Sequence, residues 1–534
     1  MSHSPDVATI DDIITDDEYL ETVSQQDCPY LQSKRKLLKK LKYKTSTLIE
    51  EHAHKCQQSK SYITANDDIH TIPNYIACYH KGLPHNKKGL VDKKEFRKLL
   101  DFLCGDLSKL TEIKLGGTRR LVNPSCIYDL EYSGMPKDSF YLPAAPTISS
   151  HQMAADMLEN YAMALVRDVP FGEWKDNKTI DEIIYYLNKL SAYQGPKNKN
   201  GKITIKNLFR GNTRGDLVGP YVSQFLYYDI PLGSLTINQK AKQYKSGADK
   251  IKTPDICREI QNGVLVEETT ERTKGSYYIR NLRDGACYVH YDSPGLCAEM
   301  AARYLFGKGV PITCRRKGGV EDQYIDLGMT DILDLIAKSS KLAMVAAWHY
   351  KWINLTIRPE VFGLLVEEAK VGGKNVGCIS SELLDSPLLD KIYRKFGSYC
   401  LPQVYAEGSP CHPSYPSGHA TWAGAVTTIL KAFFDNDYLI DAYQPDESGR
   451  YLVELDYKLR VGHELDKLAS NIAIFRDAAG VHFRSDTLGL RLGEAIAIEL
   501  LEETVERYAF PVKFEFINRD GQQVIITNRL YRKQ

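Results

Sequence analysis

Residues 417–434, SGHATWAGAVTTILKAFF, place Ser-Gly-His at the head of a run whose apolar residues recur at helical spacing. Pro416 and Ser417 are helix start signals, Gly418 permits close backbone approach, and the remainder reads as one apolar-faced helix. Three other segments in the same part of the chain share the pattern: TDILDLIAKSSKLAMVAAWHYKW (330–352), ELDKLASNIAIFRDAA (464–479) and SDTLGLRLGEAIAIELLEETVERY (485–508). Four long apolar-faced segments in one region predict a helix bundle, and hence a mainly α fold. Only the tail departs from it, where VKFEFINRDGQQVIITNRL (512–530) alternates apolar and polar residues about Asp520-Gly521 and reads as a β-hairpin.

Upstream, SHQMAADMLENYAMALVRDVPF (150–171) and TIDEIIYYLNKLSAY (179–193) also have helical periodicity, with Pro170 and Gly172 marking a turn between them. Residues 1–140 read as an irregular N-terminal region with one basic amphipathic stretch, KRKLLKKLKYKTSTLIEEHAHK (34–55), expected to be a solvated helix face. The division predicted is 1–140 helical or irregular, 141–324 a first helical bundle and 325–534 a C-terminal bundle carrying the functional site. There is no internal repeat and no low-complexity tract.

The 534 residues suffice for a large core, and 43% hydrophobic residues argue against disorder. Lys and Arg (69) balance Asp and Glu (68), so no nucleic-acid groove or polybasic membrane surface is expected, and a charged ligand must be recognised locally. The acidic start, MSHSPDVATIDDIITDDEYL, does not resemble a secretory signal, and no run approaches the roughly 20 apolar residues of a membrane span; the expectation is a soluble protein, cytoplasmic by default. The 12 cysteines, from Cys28 to Cys411, form no C-x-x-C pair or zinc-like group and are expected to be mostly small buried hydrophobes. KVGGKN (370–375) lacks P-loop spacing.

The chemistry concentrates in three places. At Pro416–His419, free N–H groups and the positive end of a helix dipole make an anion site, with Ser417 and Gly418 as donors and the His419 imidazole directed at whatever the loop holds. In HYKWINLTIRPE, Lys351 and Arg358 lie seven apart, two turns on one helix face, with Pro359 ending the pattern; their apolar surroundings predict buried cations in need of an anion. In NIAIFRDAAGVHFRSD, Arg476 ends an apolar helical run and His482 follows the helix-ending Gly480, a candidate covalent ligand or nucleophile.

Taken in order, K-x6-R-P (Lys351, Arg358, Pro359), P-S-G-H (Pro416–His419) and R-x5-H (Arg476, His482) resemble the signature shared by vanadium-dependent haloperoxidases and the type 2 phosphatidic acid phosphatases with their bacterial acid phosphatase relatives. FRGN (209–212), GDLVGPYVSQFLY (215–227), EGSPCHPSYPSGHATWAGA (407–425) and ELDKLASNIAIFRDAAGVHFRSD (464–486) resemble the algal and cyanobacterial bromoperoxidase branch, so that the likeness covers roughly residues 205–500. The chain departs from the pattern at Phe475, which stands where the third motif often has serine, and in the Lys351-to-Arg358 step, one residue shorter than expected of algal bromoperoxidases.

The resemblance implies two four-helix-bundle-like units, the cofactor in the C-terminal one, and a homo-oligomer, at least a dimer. It implies vanadate as cofactor, with no haem, flavin or nicotinamide. His482 is then the axial ligand of vanadium; Lys351, Arg358, Ser417, the Gly418 amide and Arg476 hold the vanadate oxygens; and His419 is the acid/base group, with Lys351 drawing electron density from the peroxide. His412 matches a second histidine near the cofactor in bromoperoxidases, and Asp292, in YVHYD (288–292), matches an aspartate that pairs with a site arginine. The implied reaction is oxidation of bromide or iodide, with chloride possible, by hydrogen peroxide to a hypohalous acid-like species that halogenates small organic acceptors. Two alternatives use the same residues: an acid phosphatase with His482 as nucleophile and His419 as leaving-group acid, and a non-enzymatic phosphate-binding bundle.

Overall fold

The structure, a computed structural model, describes residues 72–128, 142–264, 271–315, 323–375 and 378–533. The basic stretch 34–55 lies outside the described residues. The principal helices are α1 (Lys93–Leu103), α2 (His151–Val166), α3 (Leu282–Tyr288), α4 (Met329–Asn354), α5 (Pro359–Gly372), α6 (Gly418–Phe433), α7 (Val461–Ala479) and α8 (Gly489–Val505). Their starts follow from local chemistry: Asp92, Ser150 and Ser417 accept backbone N–H groups of α1, α2 and α6, and Pro359 occupies the first turn of α5.

Helix α6 is buried along nearly its whole length and packs against α4, α7 and α8, so it is the axis of the C-terminal bundle. Two glycines make the α6–α8 approach possible. A Cβ on Gly424 would lie 2.1 Å from the Leu490 carbonyl oxygen, and one on Gly493 would lie 1.8 Å from that of Thr421, so the two backbones touch where any side chain would separate them. A second core joins the N-terminal part to α4: Phe96, Leu99 and Phe102 of α1 pack with Trp348, Trp352 and Ile353.

The described strands form three separate antiparallel pairs: β1 (Ile230–Leu232) with β2 (Leu235–Ile237), β3 (Leu439–Pro445) with β4 (Leu452–Arg460), and β5 (Lys513–Ile517) with β6 (Gln523–Thr527). The last is the expected hairpin, turning through Gly521 at φ 80°, with Phe514 opposite Ile526 and buried against Phe433. The other two pairs were not anticipated. Cys104 and Cys378 are exposed and the remaining described cysteines are buried free thiols, matching the reading of cysteine as a small hydrophobe. Among the described residues no helix is long and apolar enough to cross a membrane.

Candidate active site

Lys351 and Arg358 converge by a different route from the one expected. Helix α4 ends at Asn354, Leu355 takes the left-handed conformation (φ 49°), and Arg358 is the residue preceding α5 rather than a member of the same helix. Pro359 opens a helix instead of ending one. The buried Leu355 is held there because its N–H donates to Lys351 O (3.0 Å) and its carbonyl accepts from Tyr79 (2.7 Å), which offsets a conformation costing about 1–3 kcal/mol.

Both cations are buried and meet carbonyls, not carboxylates. Lys351 Nζ donates to Pro413 O (3.0 Å) and Ser414 O (2.7 Å). Arg358 donates through Nε to His412 O (2.9 Å) and through Nη1 to Val481 O (2.8 Å), and its Nη2 lies 2.9 Å from His412 Nδ1. Burial pushes Lys351 well below its ordinary pKa, Arg358 adding to the effect, and burial pulls Arg358 itself down to about 10. The 411–416 loop is thus stitched to both cations, with Tyr415–Pro416 cis, and His412 is buried with its ring 4.6 Å from that of Trp348. Burial, and then Arg358, hold His412 well below its usual pKa.

At the end of the loop Ser417 caps α6, its oxygen accepting from Ala420 N–H (3.3 Å), and Gly418 opens the helix. A Cβ on Gly418 would stand 3.0 Å from Trp348 Cζ3, so the backbone is closed in from that side. His419, in the first turn, keeps 22% of its side chain exposed, and its Nε2 lies 2.8 Å from Asp292 Oδ1. Burial lowers the His419 pKa against the pull of Asp292. A neutral ring carries its proton on Nε2, facing the carboxylate, and presents Nδ1 as the base. The partner of Asp292 is therefore this histidine and not the expected arginine; the other oxygen of Asp292 has no hydrogen-bond partner among the described residues.

Arg476 sits in the last turn of α7, donating from Nη1 to Val289 O (2.8 Å) with its guanidinium over the Tyr405 ring (5.3 Å). Its buried Nε has no partner among the described residues. Beyond the left-handed Gly480 (φ 86°) that ends α7, His482 is buried with Nδ1 2.6 Å from Asp486 Oδ2. Ser414 Oγ (2.5 Å) and Phe483 N–H (3.0 Å) donate to the same oxygen. The carboxylate fixes the proton on Nδ1 and makes Nε2 an acceptor, which the Arg358 guanidinium meets from Nη1 at 3.1 Å. Burial lowers the His482 pKa, Arg358 adding to it, and burial raises that of Asp486 against the charge of Lys351.

Asp486 was missed from sequence, although its place four residues after His482 in HFRSD is a local signal for a carboxylate-oriented imidazole. A buried clamp was also missed. Lys81 Nζ donates to Glu360 Oε1 (2.6 Å), Glu407 O (3.0 Å) and Ser409 O (2.7 Å), and Glu360 Oε2 accepts from Ser409 N–H (2.7 Å). It ties the start of α5, beside Arg358, to the loop leading into Pro416–His419.

Three buried cations without a carboxylate hydrogen bond, one of them with a buried Nε that has no partner among the described residues, accompany the loop leading into α6 and an imidazole whose Nε2 lone pair accepts from Arg358. The two nearby carboxylates are engaged by histidines. Such a set fits a tetrahedral oxyanion that also accepts a nitrogen ligand. A cation site is the wrong sense of charge, and among the described residues no group of three or more His, Cys, Asp or Glu could hold a metal cation.

Residues 335–509 match the family model described as the VCPO second helical-bundle domain. The chain is 30% identical to the vanadium-dependent bromoperoxidase of Corallina pilulifera, over 86% of this chain and 92% of that one. It is 31% identical to the vanadium-dependent bromoperoxidase of Ascophyllum nodosum, over 82% and 84% respectively. In fold it resembles the homohexameric structure of the second vanadate-dependent bromoperoxidase of Ascophyllum nodosum, with a TM-score of 0.84 over 92% of this chain and 90% of that one at 24% identity.

Proposed function

The chain belongs to the vanadium-dependent bromoperoxidase family, and we propose on that premise that it uses hydrogen peroxide to oxidise bromide, and iodide, to a hypohalous acid-like species that halogenates small organic acceptors. The observation that carries the assignment of residues is the unprotonated Nε2 of His482, oriented by Asp486 and met by the Arg358 guanidinium, while Lys351, Arg358 and Arg476 have no carboxylate hydrogen-bonded to them among the described residues. These residues fit vanadate: His482 Nε2 is the nitrogen ligand, and Lys351, Arg358, Arg476, the Ser417 hydroxyl and the Gly418 N–H bind the oxygens. Vanadate supplies, when bound, a Lewis-acid centre of fixed oxidation state that activates peroxide toward halide.

The protein's own groups do the rest. Lys351, Arg358 and Arg476 offset the anionic charge in a site from which burial excludes water, where each hydrogen bond is worth more than in solution. His419 Nδ1 takes the proton of incoming hydrogen peroxide while Asp292 holds the ring and stabilises the imidazolium that forms. The overall balance is H2O2 + Br⁻ + H⁺ → HOBr + H2O, so the protonated His419 is also placed to return a proton to the leaving oxygen. His412, between Arg358 and Trp348, is positioned to influence halide access. Assembly as a homo-oligomer is part of the same proposal, supported by the homohexameric relative.

The test is bromination of monochlorodimedone by the purified protein, with bromide and hydrogen peroxide, before and after incubation with orthovanadate. Activity that appears with vanadate and falls with excess phosphate is expected. Hydrolysis of phosphate esters without vanadate, and no bromination with it, would overturn the assignment in favour of a phosphatase.

A further inference from the structure

The segment Ala286–Asp292, at the end of α3, reaches the site at two points. Val289 O accepts from Arg476, and Asp292 accepts from His419. It also touches Tyr405, whose hydroxyl donates to Ala286 O (2.7 Å) and whose ring carries the Arg476 guanidinium. Between these points lies His290. Its ring stacks on Tyr405 with centroids 3.7 Å apart and planes at 12°, and on the other side it meets Tyr291 at 4.0 Å and 26°. In the ring plane, Nε2 is 2.7 Å from Glu407 Oε1 and Nδ1 bonds the Tyr244 hydroxyl. Glu407 is itself tied down, its carbonyl accepting from Lys81 and from Arg119 (2.8 Å). The His290 side chain is 5% exposed, so it makes these contacts in place of solvent.

We propose that His290 is a positioning residue that sets Arg476 and His419 together, by riveting the 286–292 segment to the Tyr405–Glu407 loop. The inference rests on the function proposed above, in which Arg476 binds vanadate and His419 moves the proton. A ring clamped on both faces and at both nitrogens fixes Tyr405 beneath the guanidinium, and it fixes the backbone on either side, from which Val289 O and the Asp292 carboxylate reach the two functional groups. Without the ring, neither Tyr405 nor the segment keeps its register.

The experiment is vanadate binding to the full-length protein by equilibrium dialysis, read separately from turnover, for wild type, His290→Ala, His290→Phe, Glu407→Gln, Arg476→Ala and the His290→Ala/Arg476→Ala double variant. His290→Ala is expected to weaken vanadate binding about tenfold and to lower kcat. His290→Phe, which keeps the stack on Tyr405, should recover most of that affinity. In the Arg476→Ala background the His290 substitution should change binding little, since it acts through that arginine. Additive effects in the double variant, or wild-type affinity in folded His290→Ala, would overturn the proposal. If His290→Ala fails to fold, Glu407→Gln decides in its place: weakened vanadate binding supports the rivet, and unchanged binding refutes it. Failure of the wild-type protein to bind vanadate would instead refute the underlying function.

Discussion

Replacing Asp292 by Asn tests the assignment of the base at its most exposed point. The pair is a charge-assisted hydrogen bond of 2.8 Å whose carboxylate is 2% exposed, of a kind worth about 1.5–3 kcal/mol. If that energy is realised when His419 becomes imidazolium, its loss lowers kcat by roughly ten- to a hundredfold. A second effect acts in the same direction: an Asn amide that donates to Nε2 forces the ring proton onto Nδ1 and removes the base altogether. The ceiling is the contribution of His419 itself, on the order of 10²–10⁴ for a positioned acid/base group. We therefore expect Asp292→Asn to lose about a hundredfold in kcat, with vanadate affinity close to wild type, because His482, Lys351, Arg358 and Arg476 are untouched. Steady-state bromination gives the first quantity and equilibrium dialysis the second. The double variant Asp292→Asn/His419→Ala should be no slower than His419→Ala alone. Multiplied losses in the double variant, or an Asp292→Asn enzyme as fast as wild type, would refute the reasoning.

Two further substitutions follow from buried carboxylates. Asp486→Ala frees the ring of His482 and leaves its Nδ1 proton, Ser414 Oγ and Phe483 N–H without their common acceptor; vanadate affinity measured by dialysis should fall about 10–100-fold. Asp156, buried in α2 and accepting from Ser485 N–H, has its pKa raised from 3.8 to about 7 by burial. The folded chain therefore holds a proton the unfolded chain has released, so the contribution to stability is full below the ordinary value and is lost as pH rises through that window, by roughly 4 kcal/mol in all. Asp156→Asn has no proton to lose, and urea unfolding should show it gaining on wild type between about pH 4 and pH 8; parallel pH dependences would refute this.

The residues legible in the sequence were those whose chemistry is local. Pro416, Ser417, Gly418 and His419 are a helix start, Arg476, Gly480 and His482 a helix end, and each reads within ten residues because capping and dipole effects act over one turn. The β5–β6 hairpin was visible for the same reason, through Asp520-Gly521. The β3–β4 pair was overlooked although Val453, Leu455, Tyr457 and Leu459 alternate with polar residues; most of that strand is exposed, so hydrophobic content alone gives a weak signal. Arg358 was placed on the helix of Lys351 because periodicity carries no mark of a left-handed Leu355. The Lys81–Glu360 and His290–Glu407 pairs were invisible because each spans more than a hundred residues, a separation on which no local pattern bears.

The error over Asp292 is the informative one, because it shows how the site keeps its charge. An aspartate bonded to Arg476 would satisfy the arginine and fill the place where an anion is to bind. Here Asp292 and Asp486 each bond to a histidine instead, so their charge orients the proposed base and the proposed ligand nitrogen while the cations keep no carboxylate hydrogen bond among the described residues. The cations are held in place by carbonyls of residues 412–414, 289 and 481, which accept hydrogen bonds without cancelling charge. Burial then presses Lys351 and Arg358 toward losing their protons, as their lowered pKa values record. A bound oxyanion would reverse that pressure on both at once. On the proposed assignment, the same arrangement that makes the site electrostatically costly without an anion is what would give it affinity for vanadate, and any substitution that supplies Lys351, Arg358 or Arg476 with a carboxylate partner should weaken binding even as it relieves the strain of burial.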